Sequence, residues 1–349
     1  MKKSLLAVAV LSAFAGAASA QSSVTLFGIV DLSVNSFENR NTRIRSMDSN
    51  QLNSNRLGFR GTEDLGGGLI AGFWLEGGMS NDVGTGGNAT GGFDFGRRST
   101  VSLTSRMGEI RLGRDYTNSF WNLAINDAYG GNGMGTPLNI YLGPVAGLGS
   151  GATTGARANN MVGYFLPSGL GGITGSVQVA AGEGVVGNKY YGGTLGYAAG
   201  PFSVSGAYSE TFAAGNIKFK VANVAGSFDF GVAKLYAFYD KRGYNGLTYA
   251  TYSLTGSVPL GQGEFRAAYT KGDAKGTGIG ANDAQLIGAE YIYNLSKRTA
   301  LYTQYGRLAN KGTSKAIVGG VRGASDALAL TTGGGFTSTG YGVGVRHSF

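Results

Sequence analysis

From residue 23 to its C-terminus the chain alternates apolar residues with polar or small ones. The last segment shows this most cleanly. Tyr341, Val343, Val345 and Phe349 share one phase, and Gly342, Gly344, Arg346 and Ser348 the other, with only His347 interrupting the apolar phase. A period of two places alternate side chains on opposite faces of an extended strand. The same pattern sets Val24, Leu26, Val30 and Leu32 against Thr25, Phe27, Asp31 and Ser33, and Leu57 and Phe59 against Arg56, Gly58 and Arg60. It sets Val101 and Leu103 against Arg98, Thr100 and Ser102, Ile110 and Leu112 against Glu109 and Arg111, and Ile287, Ala289, Tyr291 and Tyr293 against Gly288 and Glu290. Residues 232–241 can be phased either way.

Sixteen such segments are expected, near 23–37, 51–63, 69–79, 93–104, 109–116, 157–166, 172–181, 189–198, 202–211, 217–229, 232–241, 248–258, 264–272, 284–294, 298–309 and 338–349. Most reach the roughly 9 to 11 residues that let a tilted strand cross a bilayer. The connections alternate in length. Those at 64–68, 105–108, 167–171, 199–201, 230–231, 259–263 and 295–297 are short. Those at 38–50, 80–92, 117–156, 182–188, 212–216, 242–247, 273–283 and 310–337 are long or variable. All tight turns then fall at one end and all larger loops at the other, as in a closed transmembrane barrel. A soluble antiparallel barrel or sandwich is the alternative, with strands nearer five or six residues and its apolar face inside.

Composition sharpens the picture. Gly supplies 64 of 349 residues, which excludes a mainly helical protein, and inward Gly would keep a lumen open. Tyr190, Tyr191, Tyr236, Tyr239, Tyr249, Tyr252, Tyr291, Tyr293, Tyr302, Tyr305 and Phe349 are candidates for aromatic girdles at the two interfaces. Residues 1–20 carry a basic start, an apolar stretch and Ala18-Ser19-Ala20, the layout of a cleaved secretory signal, leaving residues 21–349 as one barrel domain. There is no Cys and one His, so thiol chemistry, disulfides and His-pair zinc sites are excluded, and neither a metal nor a cofactor is expected. His347 falls on the lipid-facing phase, with no paired nucleophile to make a hydrolase. The Gly-rich stretch 182–189 is followed by Tyr190 rather than Ser or Thr, and 131–135 lacks a strand-then-helix context, so neither is a phosphate loop. The formal charge of +9 comes with no basic run or basic helix, which argues against nucleic acid.

Several stretches together resemble a family. They are Ser23-Val-Thr-Leu-Phe-Gly-Ile-Val-Asp31, Ser54-Asn-Arg-Leu-Gly-Phe-Arg-Gly-Thr-Glu-Asp-Leu-Gly66, Gly108-Glu-Ile-Arg-Leu-Gly-Arg114, Tyr293-Asn-Leu-Ser-Lys-Arg-Thr299 and Gly342-Val-Gly-Val-Arg-His-Ser-Phe349. In that order and over the whole mature length, the chain resembles the general porins of Gram-negative outer membranes, of the beta-proteobacterial trimeric type. The resemblance implies an all-β, 16-stranded antiparallel barrel, assembled as a homotrimer among outer-membrane lipids, passing small hydrophilic solutes and ions by diffusion. It implies that the loop 117–156 folds into the lumen as a constriction, and that Phe349 is the signal read by the outer-membrane assembly machinery. An adhesin or surface receptor built on the same barrel is the alternative.

Selectivity in such a pore follows the charges lining its narrowest part. The strand phases turn Arg56, Arg60, Arg98 and Arg111 inward, and Arg157 sits where the long loop rejoins the barrel. By the resemblance these form a wall facing the loop. That loop is Gly-rich, with Asp127 its only acid. Glu76 lies among the arginines, and Trp74, two residues before it, would narrow the lumen. Excess lumen arginine over loop acid points to an anion-preferring pore, with chloride and other small anions as the favoured solutes. Structural pairing of the arginines with Glu63, Glu76, Glu109 or Asp31 is the competing use for them.

Overall fold

The structure is a computed structural model and describes residues 23–40, 42–88, 90–143, 147–319 and 333–349. The expected signal at 1–20 lies outside the described residues. The strands are β1 (Ser23–Asn39), β2 (Thr42–Ser49), β3 (Arg56–Asp64), β4 (Ile70–Ser80), β5 (Thr85–Gly86), β6 (Arg98–Ser105), β7 (Gly108–Tyr116), β8 (Arg157–Phe165) and β9 (Ile173–Ala180). They continue as β10 (Tyr190–Ala199), β11 (Phe202–Phe212), β12 (Lys218–Asp229), β13 (Lys234–Tyr244), β14 (Leu247–Leu260), β15 (Gly263–Lys275), β16 (Ala284–Asn294), β17 (Thr299–Asn310) and β18 (Thr337–Ser348). Two helices, α1 (Asn118–Ile125) and α2 (Leu138–Tyr141), lie between β7 and β8.

Neighbours in sequence pair antiparallel, and β18 pairs back onto β1 from Ile29–Ser348 to Asn39–Ser338. The sheet therefore closes and leaves no edge, as a lipid-exposed backbone requires. β1 pairs with β2 along Leu32–Asn39 and with β3 along Ser23–Ile29, so β2 and β3 are one stave interrupted by an excursion at 50–55. β5 pairs only with the end of β4, inside a loop. The barrel thus has the expected sixteen staves.

Two connections differ from expectation. The first long loop does not exist: β1 runs to Asn39, Arg40 takes a φ of 58°, and β2 starts at Thr42. The connection after β13 is a two-residue turn, Asn245-Gly246, with φ of 47° and 80°. Positive φ at both positions suits Asn-Gly and matches the twist of the flanking strands.

The apolar phase faces outward. Val34, Leu195, Leu254, Val343 and Val345 are all exposed on the barrel wall. Tyr239, Tyr252, Tyr293, Tyr305 and Tyr341 share that outer phase. Tyr190, Tyr249 and Tyr302, expected in the girdles, point inward and are buried. β13 shows why its phase was ambiguous: Leu235 is exposed outside, while Phe238 is buried inside against Tyr141 of the long loop.

Candidate pore constriction

The 117–156 connection leaves β7 and rejoins β8 inside the barrel, closed at its base where the Thr117 N–H donates to the Ala156 carbonyl at 3.1 Å. Thr117 makes no side-chain cap for α1. The wall does this work instead: the Asn118 N–H donates to Gln178 Oε1 at 3.0 Å and to the Tyr190 hydroxyl at 3.2 Å. Along α1, Asn122 Nδ2 donates to Asn223 Oδ1 at 2.9 Å, and Asn223 Nδ2 to the Ser119 carbonyl at 3.0 Å. Further on, the Ala128 N–H donates to Thr255 Oγ1 at 2.9 Å, and the Met134 N–H to Gln304 Oε1 at 3.0 Å. The loop is thus pinned in turn to β9, β12, β14 and β17. Inward glycines permit the contact: a Cβ on Gly288 would lie 2.3 Å from Gly135 Cα, and one on Gly306 would lie 2.7 Å from the Met134 carbonyl oxygen.

The opposite wall, β3 to β8, remains open and carries the arginines. Glu76 gathers three partners: Arg97 Nε at 2.5 Å, Arg56 Nη1 at 3.5 Å and the Trp74 indole N–H at 3.1 Å. The Tyr116 hydroxyl accepts from Arg97 Nη2 at 2.8 Å and from Arg157 Nη2 at 2.7 Å, and Arg157 also lies 4.2 Å over the Tyr116 ring. Trp74 sits between Arg60 at 5.2 Å and Arg98 at 4.6 Å, with Phe27 edge-on to it. Arg111 bridges Glu109 at 2.9 Å and Asp115 at 2.6 Å and stacks on Phe165, and Arg98 reaches Asp115 at 3.4 Å. Such ring faces and carboxylates hold guanidinium groups in place without discharging them. A polar recess of about 470 Å³ opens between Arg97, Arg114, Arg157, Asp94, Asn50 and Asn55.

Of the arginines read from the sequence, Arg56, Arg60, Arg98, Arg111 and Arg157 all stand on this wall. Two more were missed. Arg97 precedes β6 and lies on the phase that the strand itself would turn outward. Arg114 pairs with Ser99 on the phase of Ile110 and Leu112, which β7 turns outward, and donates to Asn159 and to the Gly96 carbonyl. Among the described residues, the wall holds seven guanidinium groups and four carboxylates, Glu76, Asp94, Glu109 and Asp115.

Asp127 does not face this wall, contrary to expectation. It is buried within the loop and accepts from the N–H groups of Tyr129 at 3.1 Å and Gly131 at 3.0 Å and from the Thr136 hydroxyl at 2.9 Å. Burial raises its carboxyl above the usual range, and these hydrogen bonds pull it back in part. Three further lumen acids are also sequestered. Asp240 is 0% exposed beside Arg242, Glu290 is 2% exposed beside Arg266, and Asp31 is 0% exposed, held by the Leu52 and Asn53 N–H groups and the Tyr302 hydroxyl. The surface left to pore water is therefore cationic on the wall and uncharged on the loop. Phe349 closes the ring, with its N–H donating to the Gly28 carbonyl and its carbonyl accepting from the Gly28 N–H, both at 3.1 Å.

A model of Gram-negative porins matches residues 7–313. Outer membrane porin protein 32 of Delftia acidovorans is 40% identical over the whole of both chains, and an outer membrane porin protein of Bordetella pertussis is 31% identical, again over both chains in full. Among solved structures, an anion-selective porin from Comamonas acidovorans superposes with a TM-score of 0.80 at 34% identity, covering 94% of this chain and 100% of that one. A trimer form of OmpT from Vibrio cholerae shares the fold, with a TM-score of 0.65 at 15% identity, covering 94% of this chain and 99% of that one.

Proposed function

The chain belongs to the Gram-negative porin family, and on that footing we propose that this outer-membrane channel prefers anions, with Arg56, Arg60, Arg97, Arg98, Arg111, Arg114 and Arg157 as the residues that set the preference. The observation that carries the reading is the open wall, with a surplus of three positive charges facing a loop whose one acid is buried. Three net charges about 8 Å from an ion in water are worth ~1.5 kcal/mol, cut to ~0.7 kcal/mol by screening at 0.1 M salt. The anion gains this and the cation loses it, so the permeability ratio shifts about tenfold. The anion-selective title of the Comamonas structure, at 34% identity, supports the same reading.

The protein functions as a homotrimer, exported by the signal at 1–20 and inserted by an assembly machinery that reads Phe349. The trimer form of the Vibrio relative supports the first point. The test is a planar-bilayer recording in a potassium chloride gradient. The sign of the reversal potential should report chloride as the more permeant ion, and closures should come in threes. A reversal potential of the opposite sign would sink the anion reading.

A further inference from the structure

The lumen contains one surface that an ion filter does not need. On α1, Phe120 and Leu123 are buried against the wall side, but Trp121 is 50% exposed and Ile125 is 53% exposed. The two stand one helical turn apart, so they form a single apolar strip on the face that α1 turns away from the strands pinning it. Large exposed apolar residues on β-strands of this protein sit on the lipid-facing phase. These two sit instead on a helix inside the barrel, with their exposed surface turned to the pore. The strip is linked to the cations through Tyr116. The Trp121 ring lies 5.3 Å from the Tyr116 ring, and the Tyr116 hydroxyl holds Arg97 and Arg157 at 2.8 and 2.7 Å.

We propose that this constriction is a binding subsite for aryl carboxylates, with the carboxylate on Arg157 and the ring on Trp121 and Ile125. The proposal rests on the anion preference argued above and names the anion class that the pore favours. A guanidinium recognises a carboxylate by charge and by its planar donor array. A neighbouring indole adds a flat apolar contact for the ring. An anion without an apolar body uses only the first half of the site. Chloride and acetate therefore pass without dwelling, while benzoate dwells and interrupts the chloride current.

The experiment measures chloride current through the native trimer while benzoate or acetate is added, at constant ionic strength. Benzoate should reduce the current in a saturable way, at concentrations about fivefold lower than acetate, the factor expected from one aromatic contact. Trp121→Ser and Ile125→Ser should each weaken the benzoate block and leave the acetate response and the chloride reversal potential unchanged. The acid series on unmodified protein tests the idea even if neither variant folds. Equal block by benzoate and acetate in a pore that is anion-preferring overturns the subsite and leaves the anion reading intact. A cation-preferring unmodified pore overturns both. Benzoate block that survives Trp121→Ser and Ile125→Ser together overturns the assignment of the strip.

Discussion

If the long loop is held against β16 and β17 by missing side chains, one methyl group should lift it. A Cβ on Gly288 would lie 2.3 Å from Gly135 Cα and 3.2 Å from the Gly135 nitrogen, whereas ordinary contact begins near 3.4 Å. Gly288→Ala therefore demands a displacement of about 1.1 Å, the difference between those two distances. The strand is the stiffer partner, because β16 is bonded to β15 and to β17 along its length. The loop yields and moves toward the arginine wall, which narrows the opening. Overpacking of this kind costs about 1 to 3 kcal/mol. Single-channel conductance should fall, and the temperature at which the folded barrel melts in detergent should drop. The control is Gly206→Ala, where the nearest atom to the new methyl is 3.6 Å away, so neither quantity should change. A Gly288→Ala channel with parental conductance and thermal stability would refute the docking argument.

The remaining predictions concern charge. Arg98→Gln with Arg157→Gln leaves one net positive charge on the wall, so the chloride-to-potassium ratio should fall from about tenfold to about twofold, read from the reversal potential. Asp127→Asn should leave that ratio unchanged, because the carboxylate is buried inside the loop. Its raised pKa means that the folded loop takes up a proton more readily than the unfolded chain, so stability of the folded barrel should rise as pH falls through the window between the two, and Asp127→Asn should flatten that rise in a pH series of melting temperatures. Arg242→Met strips the ion pair from Asp240, which is 0% exposed, and removes the donor to the Tyr141 carbonyl in α2. It should destabilise the folded barrel by about 3 to 5 kcal/mol, the range for a buried pair that loses one member.

The barrel was legible in the sequence because lipid imposes a strict period of two wherever one face is apolar and the other wet. It blurred where that condition failed. β13 reads either way because Phe238 is apolar on the inside, where it meets the loop. Tyr190, Tyr249 and Tyr302 look like girdle residues in composition, but they serve the interior: Tyr190 caps α1, Tyr302 donates to Asp31, and a methyl on Gly272 would meet both Tyr249 and Ile140 of α2. Of the arginine wall, the members on regular strands were legible. Arg114 was lost because it stands on the outward phase of Ile110 and Leu112, and Arg97 because it precedes β6 on the outward phase of Val101 and Leu103. Asp127 was misplaced for a different reason. Sequence shows that the loop has one acid, but the three donors that consume it come from Tyr129, Gly131 and Thr136, and only the folded backbone turns them inward.

The arginines alone do not make the lumen cationic. The same barrel carries Asp31, Asp240 and Glu290 on inward phases, and each would offset a guanidinium if pore water reached it. What removes them from the field is cover. Burial beneath the loop and the 50–55 excursion forces each to be neutral or locally paired, since an isolated charge there is too costly. Arg242 and Arg266 supply the pairing for two of them, and backbone N–H groups with Tyr302 supply it for Asp31. The loop's attachment to β9, β12, β14 and β17 is therefore part of the ion filter, even though no charged loop side chain faces the pore. A loop that undocked would widen the opening and uncover acids at the same time. Conductance and anion preference should then move in opposite directions, whereas losing a wall arginine lowers the preference without uncovering anything. The two signatures separate a damaged anchor from a damaged wall in any variant of this channel.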